Sequence, residues 1–130
     1  MTMYRKDLMS KTILIFEDDA FLLDAYQLKL SANREWNAVT FPDGEAALAR
    51  VKDTRPDVIV LDLLMPKKSG IDILKELRAD PETRDIPVIV ASNLGQRDIV
   101  GQALELGAKD YFIKSDAKIN DILAAAKRHL

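Results

Sequence analysis

The stretch Pro56-Asp57-Val58-Ile59-Val60-Leu61-Asp62 decides the fold. Four aliphatic residues in succession, with no polar residue between them, suit a strand buried on both faces. Pro56 stops the helix upstream and starts this strand. Asp62 ends it. A strand covered on both faces belongs to a parallel sheet, and parallel strands need helical crossovers.

The chain supplies them in both directions. Downstream, Leu63 to Gly70 is a loop carrying Pro66, Ser69 and Gly70, and Ile71, Ile73, Leu74 and Leu77 mark a helix. Pro81 and Pro87 bracket a polar connection. Val88-Ile89-Val90-Ala91 is a second buried strand, closed by Ser92 and Asn93. Ile99, Val100, Ala103, Leu104 and Leu106 give a helix that Gly107 terminates. Tyr111-Phe112-Ile113 is a strand ending at Lys114, and Ile119, Ile122, Leu123 and Ala126 form a last helix. Upstream, Pro42-Asp43-Gly44 is a turn before a helix over Glu45 to Lys52, and Trp36 to Phe41 is a weaker strand. Phe21 to Leu30 has helical spacing, with Asp19 as its cap or a first-turn acid. Lys11 to Phe16 is the first strand. Five strands thus alternate with five helices. Alternation with right-handed crossovers predicts one α/β domain, a parallel sheet in the order 2-1-3-4-5 with helices on both faces.

Composition narrows the chemistry. The 130 residues are the size of one domain; 48% are apolar and 31% charged, as in a soluble globular protein. Nineteen Lys+Arg against 21 Asp+Glu give a net charge of -2, which argues against gripping nucleic acid by bulk positive charge. There is no cysteine, and the single histidine is His129 near the end of the chain. Thiolate chemistry, His-based triads and multi-His metal sites are excluded, so any metal must be a hard, oxygen-loving one. No apolar run approaches the ~18 residues of a membrane span. Residues 1–10 read as a short leader without the apolar core of a signal peptide, and residues 11–130 as the domain, expected in the cytoplasm.

Open α/β sheets bind ligands beyond the carboxyl ends of their strands. Glu17 and Asp18 leave the first strand there, Asp62 the third, Ser92 the fourth and Lys114 the fifth. Each has an ordinary explanation by itself. Acids favour helix starts, Asp and Ser form turns and caps, and Lys is usually solvated. Five unrelated turn residues have no reason to put three acids, a hydroxyl and a lysine on one rim. Clustered carboxylates repel unless a cation joins them, and oxygen-only donors point to Mg²⁺. Metal, lysine and carboxylate together make a phosphoryl-transfer constellation.

Ile-Leu-Ile-Phe-Glu-Asp-Asp (13–19), Asp-Val-Ile-Val-Leu-Asp-Leu-Leu-Met-Pro (57–66) with Gly70, Pro-Val-Ile-Val-Ala-Ser (87–92) and Tyr-Phe-Ile-Lys (111–114) resemble the receiver domain of two-component response regulators. The resemblance covers nearly the whole chain and implies a flavodoxin-like (βα)5 fold, as in single-domain chemotaxis regulators. It implies Asp62 as phosphoacceptor. It implies Mg²⁺ on Asp18, Asp62 and the main-chain carbonyl of Leu64, with Glu17 helping through water. Lys114 and Ser92 would bind the phosphoryl group, and Ser92 and Tyr111 would act as the switch. The donor would be a phosphohistidine on a sensor histidine kinase or phosphotransfer protein. The domain would promote its own phosphorylation and dephosphorylation without being an enzyme in the ordinary sense. With no DNA-binding or catalytic domain after Leu130 in this sequence, the output is expected to be a protein contact, with no direct nucleic acid and no membrane.

The alternatives are a receiver-like scaffold that is never phosphorylated and a haloacid-dehalogenase-like phosphatase. The phosphatase family carries a second Asp two residues after the nucleophile, where this chain has Leu64. Neither a Walker A motif nor Gly-x-Gly-x-x-Gly follows the first strand, which weighs against a nucleotide-binding module. Ser115 also departs from the receiver pattern, which has Pro after the lysine, commonly across a cis peptide. The family's geometry leads to the expectation of a cis Lys114–Ser115 bond here. Leu64 and Leu94 are expected to flank Asp62 and Ser92 with apolar surface.

Overall fold

The structure is a computed structural model that describes residues 10–130. The leader expected over 1–10 lies, but for Ser10, outside them. The elements are β1 (Lys11–Phe16), α1 (Ala20–Ser31), β2 (Trp36–Phe41), α2 (Ala47–Thr54), β3 (Val58–Leu61), α3 (Gly70–Ala79), β4 (Val88–Ser92), α4 (Arg97–Glu105), β5 (Asp110–Ile113) and α5 (Ile119–Arg128). The strands form one sheet in the order β2-β1-β3-β4-β5, and every pairing is parallel. The expected architecture is the observed one.

Residue parity explains the two layers. Side chains of a strand alternate between faces. Leu14, Phe16, Ile59, Leu61, Val88 and Val90 share one core with Ala47 and Val51 of α2, Ile73, Leu74 and Leu77 of α3 and Ala103 of α4. Ile13, Ile15, Val58, Val60, Ile89 and Ala91 share the other with Tyr26 and Leu30 of α1 and Ile122, Ala125 and Ala126 of α5. All four β3 residues are buried, which is why that strand shows no polar alternation in the sequence. Among the described residues, no helix is long and apolar enough to cross a membrane.

Local chemistry sets the helix starts. Asp19 accepts from the N–H groups of Phe21 and Leu22 at 2.9 and 3.3 Å, so of its two expected roles it takes that of the α1 cap. Helix α2 begins two residues later than the sequence suggests. Asp43 accepts from the Glu45 N–H, and Ala46 takes a left-handed φ of 50°, so the chain must leave the turn before the helix can start. At α3, Gly70 is required for space. A Cβ there would lie 2.3 Å from the Asp62 carbonyl oxygen, so only glycine lets α3 begin against the end of β3.

At the amino end of the sheet, Arg78 in the last turn of α3 fastens two loops. Its Nε donates to the Leu106 carbonyl at 2.8 Å, Nη1 to those of Ile86 at 3.1 Å and Arg84, and Nη2 to that of Gly107 at 3.3 Å. Gly107 has φ 92°, and a Cβ on it would stand 2.9 Å from the Arg78 Nε.

Candidate functional site

Strand register assembles the opposite, carboxyl-end rim. Phe16 pairs with Leu61, so Glu17 and Asp62 leave adjacent strands at one level. Leu61 pairs with Val90 and Ser92 with Ile113, which brings Ser92 and Lys114 to the same edge. Glu17 and Asp62 are each only 2% exposed.

Lys114 holds both. Its Nζ lies 2.7 Å from Asp62 Oδ2 and 2.9 and 3.0 Å from the two Glu17 oxygens. The other Asp62 oxygen accepts the Leu64 N–H at 3.1 Å, and Glu17 Oε2 accepts the Asp19 N–H at 3.1 Å. Asp18 is exposed, yet one of its carboxylate oxygens lies within 4.8 Å of those of Glu17 and Asp62. Three carboxylates facing one ammonium leave two negative charges uncompensated. An oxygen-only donor set with that surplus fits a hard divalent cation.

The charges leave their mark on proton affinity. Burial pushes the Glu17 carboxyl above its ordinary value, a rise that the Lys114 hydrogen bond and the Asp19 N–H only partly offset. Burial pulls Lys114 down, but its bonds to Asp62 and Glu17 outweigh that, and its net shift is upward. Lys114 therefore stays cationic. Tyr26 lies close enough to feel the site: burial, then the charges of Glu17 and Asp62, raise its phenol.

A second group adjoins the first. Ser92 is fully buried, and its hydroxyl accepts the Leu94 N–H at 3.3 Å. The Tyr111 hydroxyl donates to the Leu94 carbonyl. Burial raises the Tyr111 phenol, a hydrogen bond with Ser92 lowers it, and the Asp62 charge raises it again. The Leu94 peptide thus sits between Ser92 and Tyr111.

Two expectations need correction. The Lys114–Ser115 peptide is trans, since no described peptide bond is cis. Without proline, cis costs ~2.5–4 kcal/mol, and the trans chain already brings Lys114 to Asp62. Leu94 does not flank the site with open apolar surface: it is partly buried against the α2–α3–α4 core. Leu64 does stand out, 65% exposed. Sequence reading also missed Asn93, whose side-chain oxygen accepts the Ser115 N–H at 2.9 Å. The lack of proline at 115 was the one signal pointing there, because it leaves a free N–H.

Residues 13–127 match the family model described as the response regulator receiver domain. The chain is 39% identical over 112 residues to the protein-glutamate methylesterase/protein-glutamine glutaminase of Bacillus licheniformis, covering 83% of this chain and 30% of that one. It is 33% identical over 107 residues to chemotaxis protein CheY of Thermotoga maritima, covering 82% of this chain and 87% of that one. The chain therefore spans less than a third of the first relative and most of the second. Among solved structures, the phosphorylated cyanobacterial phytochrome response regulator RcpA aligns with a TM-score of 0.78 at 31% identity, over 92% of this chain and 90% of that one. With the parallel five-stranded sheet, the acid-and-lysine rim and a family match running almost from end to end, the chain belongs to the response regulator receiver domain family.

Proposed function

We propose that the protein is a phosphorylation-dependent signalling switch in which Asp62 accepts a phosphoryl group from a phosphohistidine. The observation that carries this reading is the Lys114 ammonium, 2.7 Å from Asp62 Oδ2 and shared with Glu17. A buried carboxylate bonded to a lysine has the cation for its product already in place. An Asp62 oxygen forms the new bond to phosphorus as the P–N bond of the donor breaks, its electron pair staying on the imidazole. Lys114 then exchanges a carboxylate oxygen for a phosphoryl oxygen, which keeps the developing charge paired.

Asp18, Asp62 and the Leu64 main-chain carbonyl would hold Mg²⁺. Glu17, whose carboxylate stands within 4.8 Å of those of Asp18 and Asp62, would help through water. When bound, the metal supplies neutralising charge to the phosphoryl oxygens. The likeness to phosphorylated RcpA supports the acceptor role.

Ser92 and Tyr111 read out the product. A hydroxyl that turns toward a new phosphoryl oxygen releases the Leu94 N–H. The Leu94 carbonyl that Tyr111 holds moves with that peptide. The surface of α4, β5 and α5 shifts population and engages a downstream protein. The donor is a sensor histidine kinase or phosphotransfer protein, and the setting is the cytoplasm. The domain promotes its own phosphorylation and dephosphorylation. Intact mass after incubation with acetyl phosphate and Mg²⁺ tests the reading. Wild type should gain one phosphoryl mass and Asp62→Asn none. A gain on Asp62→Asn, or none on wild type, would overturn it.

A further inference from the structure

Three successive residues at the end of β4, Ser92 to Leu94, accept hydrogen bonds from β5 or its end. The Ser92 carbonyl takes the Lys114 N–H at 3.0 Å. The Asn93 side-chain oxygen takes the Ser115 N–H at 2.9 Å. The Leu94 carbonyl takes the Tyr111 hydroxyl. A backbone N–H donates, so chemistry makes the Asn93 amide oxygen the partner and fixes the side chain's orientation.

The middle bond has a geometric consequence. The Lys114 N–H belongs to the planar peptide before the Lys114 Cα, and the Ser115 N–H to the planar peptide after it. Because each peptide is a rigid plane, pinning both removes the two soft backbone torsions at Lys114. The direction in which the lysine stem leaves the chain is then set. Proline at 115 would have no N–H to donate, so this restraint exists only because the residue there, Ser115, is not proline.

We propose that Asn93 is a positioning residue for phosphoryl transfer, holding the Lys114–Ser115 peptide so that Lys114 meets Asp62. The role rests on the proposed function of Asp62. It also gives the lysine a mechanical link to the loop between Ser92 and Tyr111. A loop that moves on phosphorylation takes the Ser115 anchor with it.

The experiment uses the full chain as wild type, Asn93→Ala, Ser115→Pro and the double variant. The phosphoryl-uptake rate is followed by intact mass with acetyl phosphate at saturating Mg²⁺, and the Mg²⁺ midpoint by amide chemical shifts. Losing one such hydrogen bond should slow uptake in Asn93→Ala roughly three- to tenfold, with the Mg²⁺ midpoint unchanged. A general loosening of the fold would move both. In the Ser115→Pro background the donor is gone, so adding Asn93→Ala should change nothing further. Exchange of the Ser115 amide, read without metal or phosphoryl donor, should quicken in Asn93→Ala. Uptake by Asn93→Ala at the wild-type rate, equal slowing in both backgrounds, or unchanged Ser115 exchange would each overturn the positioning role. A wild type that gains no phosphoryl mass would instead overturn the reading of Asp62 on which the role rests.

Discussion

At the amino end of the sheet, Arg78 is ringed by the main-chain carbonyls of Arg84, Ile86, Leu106 and Gly107. At the carboxyl end, Lys114 is ringed by the carboxylates of Glu17 and Asp62. Carbonyls are fixed dipoles on a backbone that has nowhere else to go. Arg spreads one charge over a planar fork of donors and fastens two loops with it. Burial lowers the Arg78 affinity for its proton, and the Asp85 charge opposes that, but a guanidinium stays protonated. Lys114 faces the reverse balance: its acceptors are carboxylates, and with Asp18 beside them they outnumber the one ammonium. A cation satisfied by dipoles builds structure. A cation outnumbered by carboxylates leaves negative charge available to a metal.

Removing each cation should separate these roles. Lys114→Ala should slow phosphoryl uptake by about 100-fold, the scale of losing one electrostatic partner in the transition state. Arg78→Ala should leave uptake nearly intact while costing about 3 kcal/mol of stability in urea unfolding, because several carbonyls lose their donor. A folded Arg78→Ala protein that takes up phosphoryl as slowly as Lys114→Ala would break the comparison.

The next effect tests the charge surplus itself. Burial makes Glu17 harder to ionise in the fold than in the unfolded chain. Its folded value therefore lies above the ordinary 4.5, and ionising it costs stability. Below that ordinary value both states carry the proton and the cost vanishes; it grows as the pH rises through the folded value and is full above it. Glu17→Gln should thus stabilise the metal-free protein by about 1 kcal/mol at neutral pH. The gain should fade in acid and shrink with Mg²⁺. Denaturant midpoints across pH, with and without the metal, measure it. A Glu17→Gln protein less stable than wild type at neutral pH would mean that the Lys114 pairing outweighs the surplus.

The same contrast shows what the sequence could disclose. The carboxyl rim was legible because parallel strands announce themselves as apolar runs, and the residue after each run must sit on that rim. Glu17, Asp62, Ser92 and Lys114 follow from position alone. Arg78 was not legible, because its four acceptors come from two loops whose approach depends on the packing of α3 and α4. Asn93 was hidden for the same reason: its partner lies 22 residues away, across two loops. The start of α2 was misplaced because the left-handed Ala46 defies the usual preference of alanine.

Moving from charge to readout, Ser92→Ala should still accept the phosphoryl group but pass it on weakly. The hydroxyl is fully buried and bonded to the Leu94 N–H, so it serves the loop before phosphorylation and would serve the product after it. Phosphorylation-induced amide shifts around Tyr111 should fall to a minority of their wild-type size. Equal shifts would show that the coupling runs elsewhere. Trp36 is a poor reporter for either measurement, since it begins β2 opposite Lys11 at the far end of the sheet.

The smallest effect concerns how long the product lasts. Loss of the phosphoryl group requires a water to approach phosphorus in line with the Asp62 oxygen, and a nearby polar side chain can orient that water. Leu64 stands where such a side chain would be. Its N–H is spent on Asp62 Oδ1, and its side chain is 65% exposed beside the acid. An apolar group there offers the water no hydrogen bond, so loss should be slow. Leu64→Asn keeps the same N–H and adds a polar arm, and should speed loss several-fold without changing uptake. Leu64→Ala separates shape from polarity: it opens space but orients nothing, and should speed loss less than Asn does. The decay of phosphoryl mass after removal of acetyl phosphate measures all three proteins. If Asn and Ala accelerate it equally, access governs the lifetime and orientation does not; if neither does, the wall that protects the product lies at some other residue.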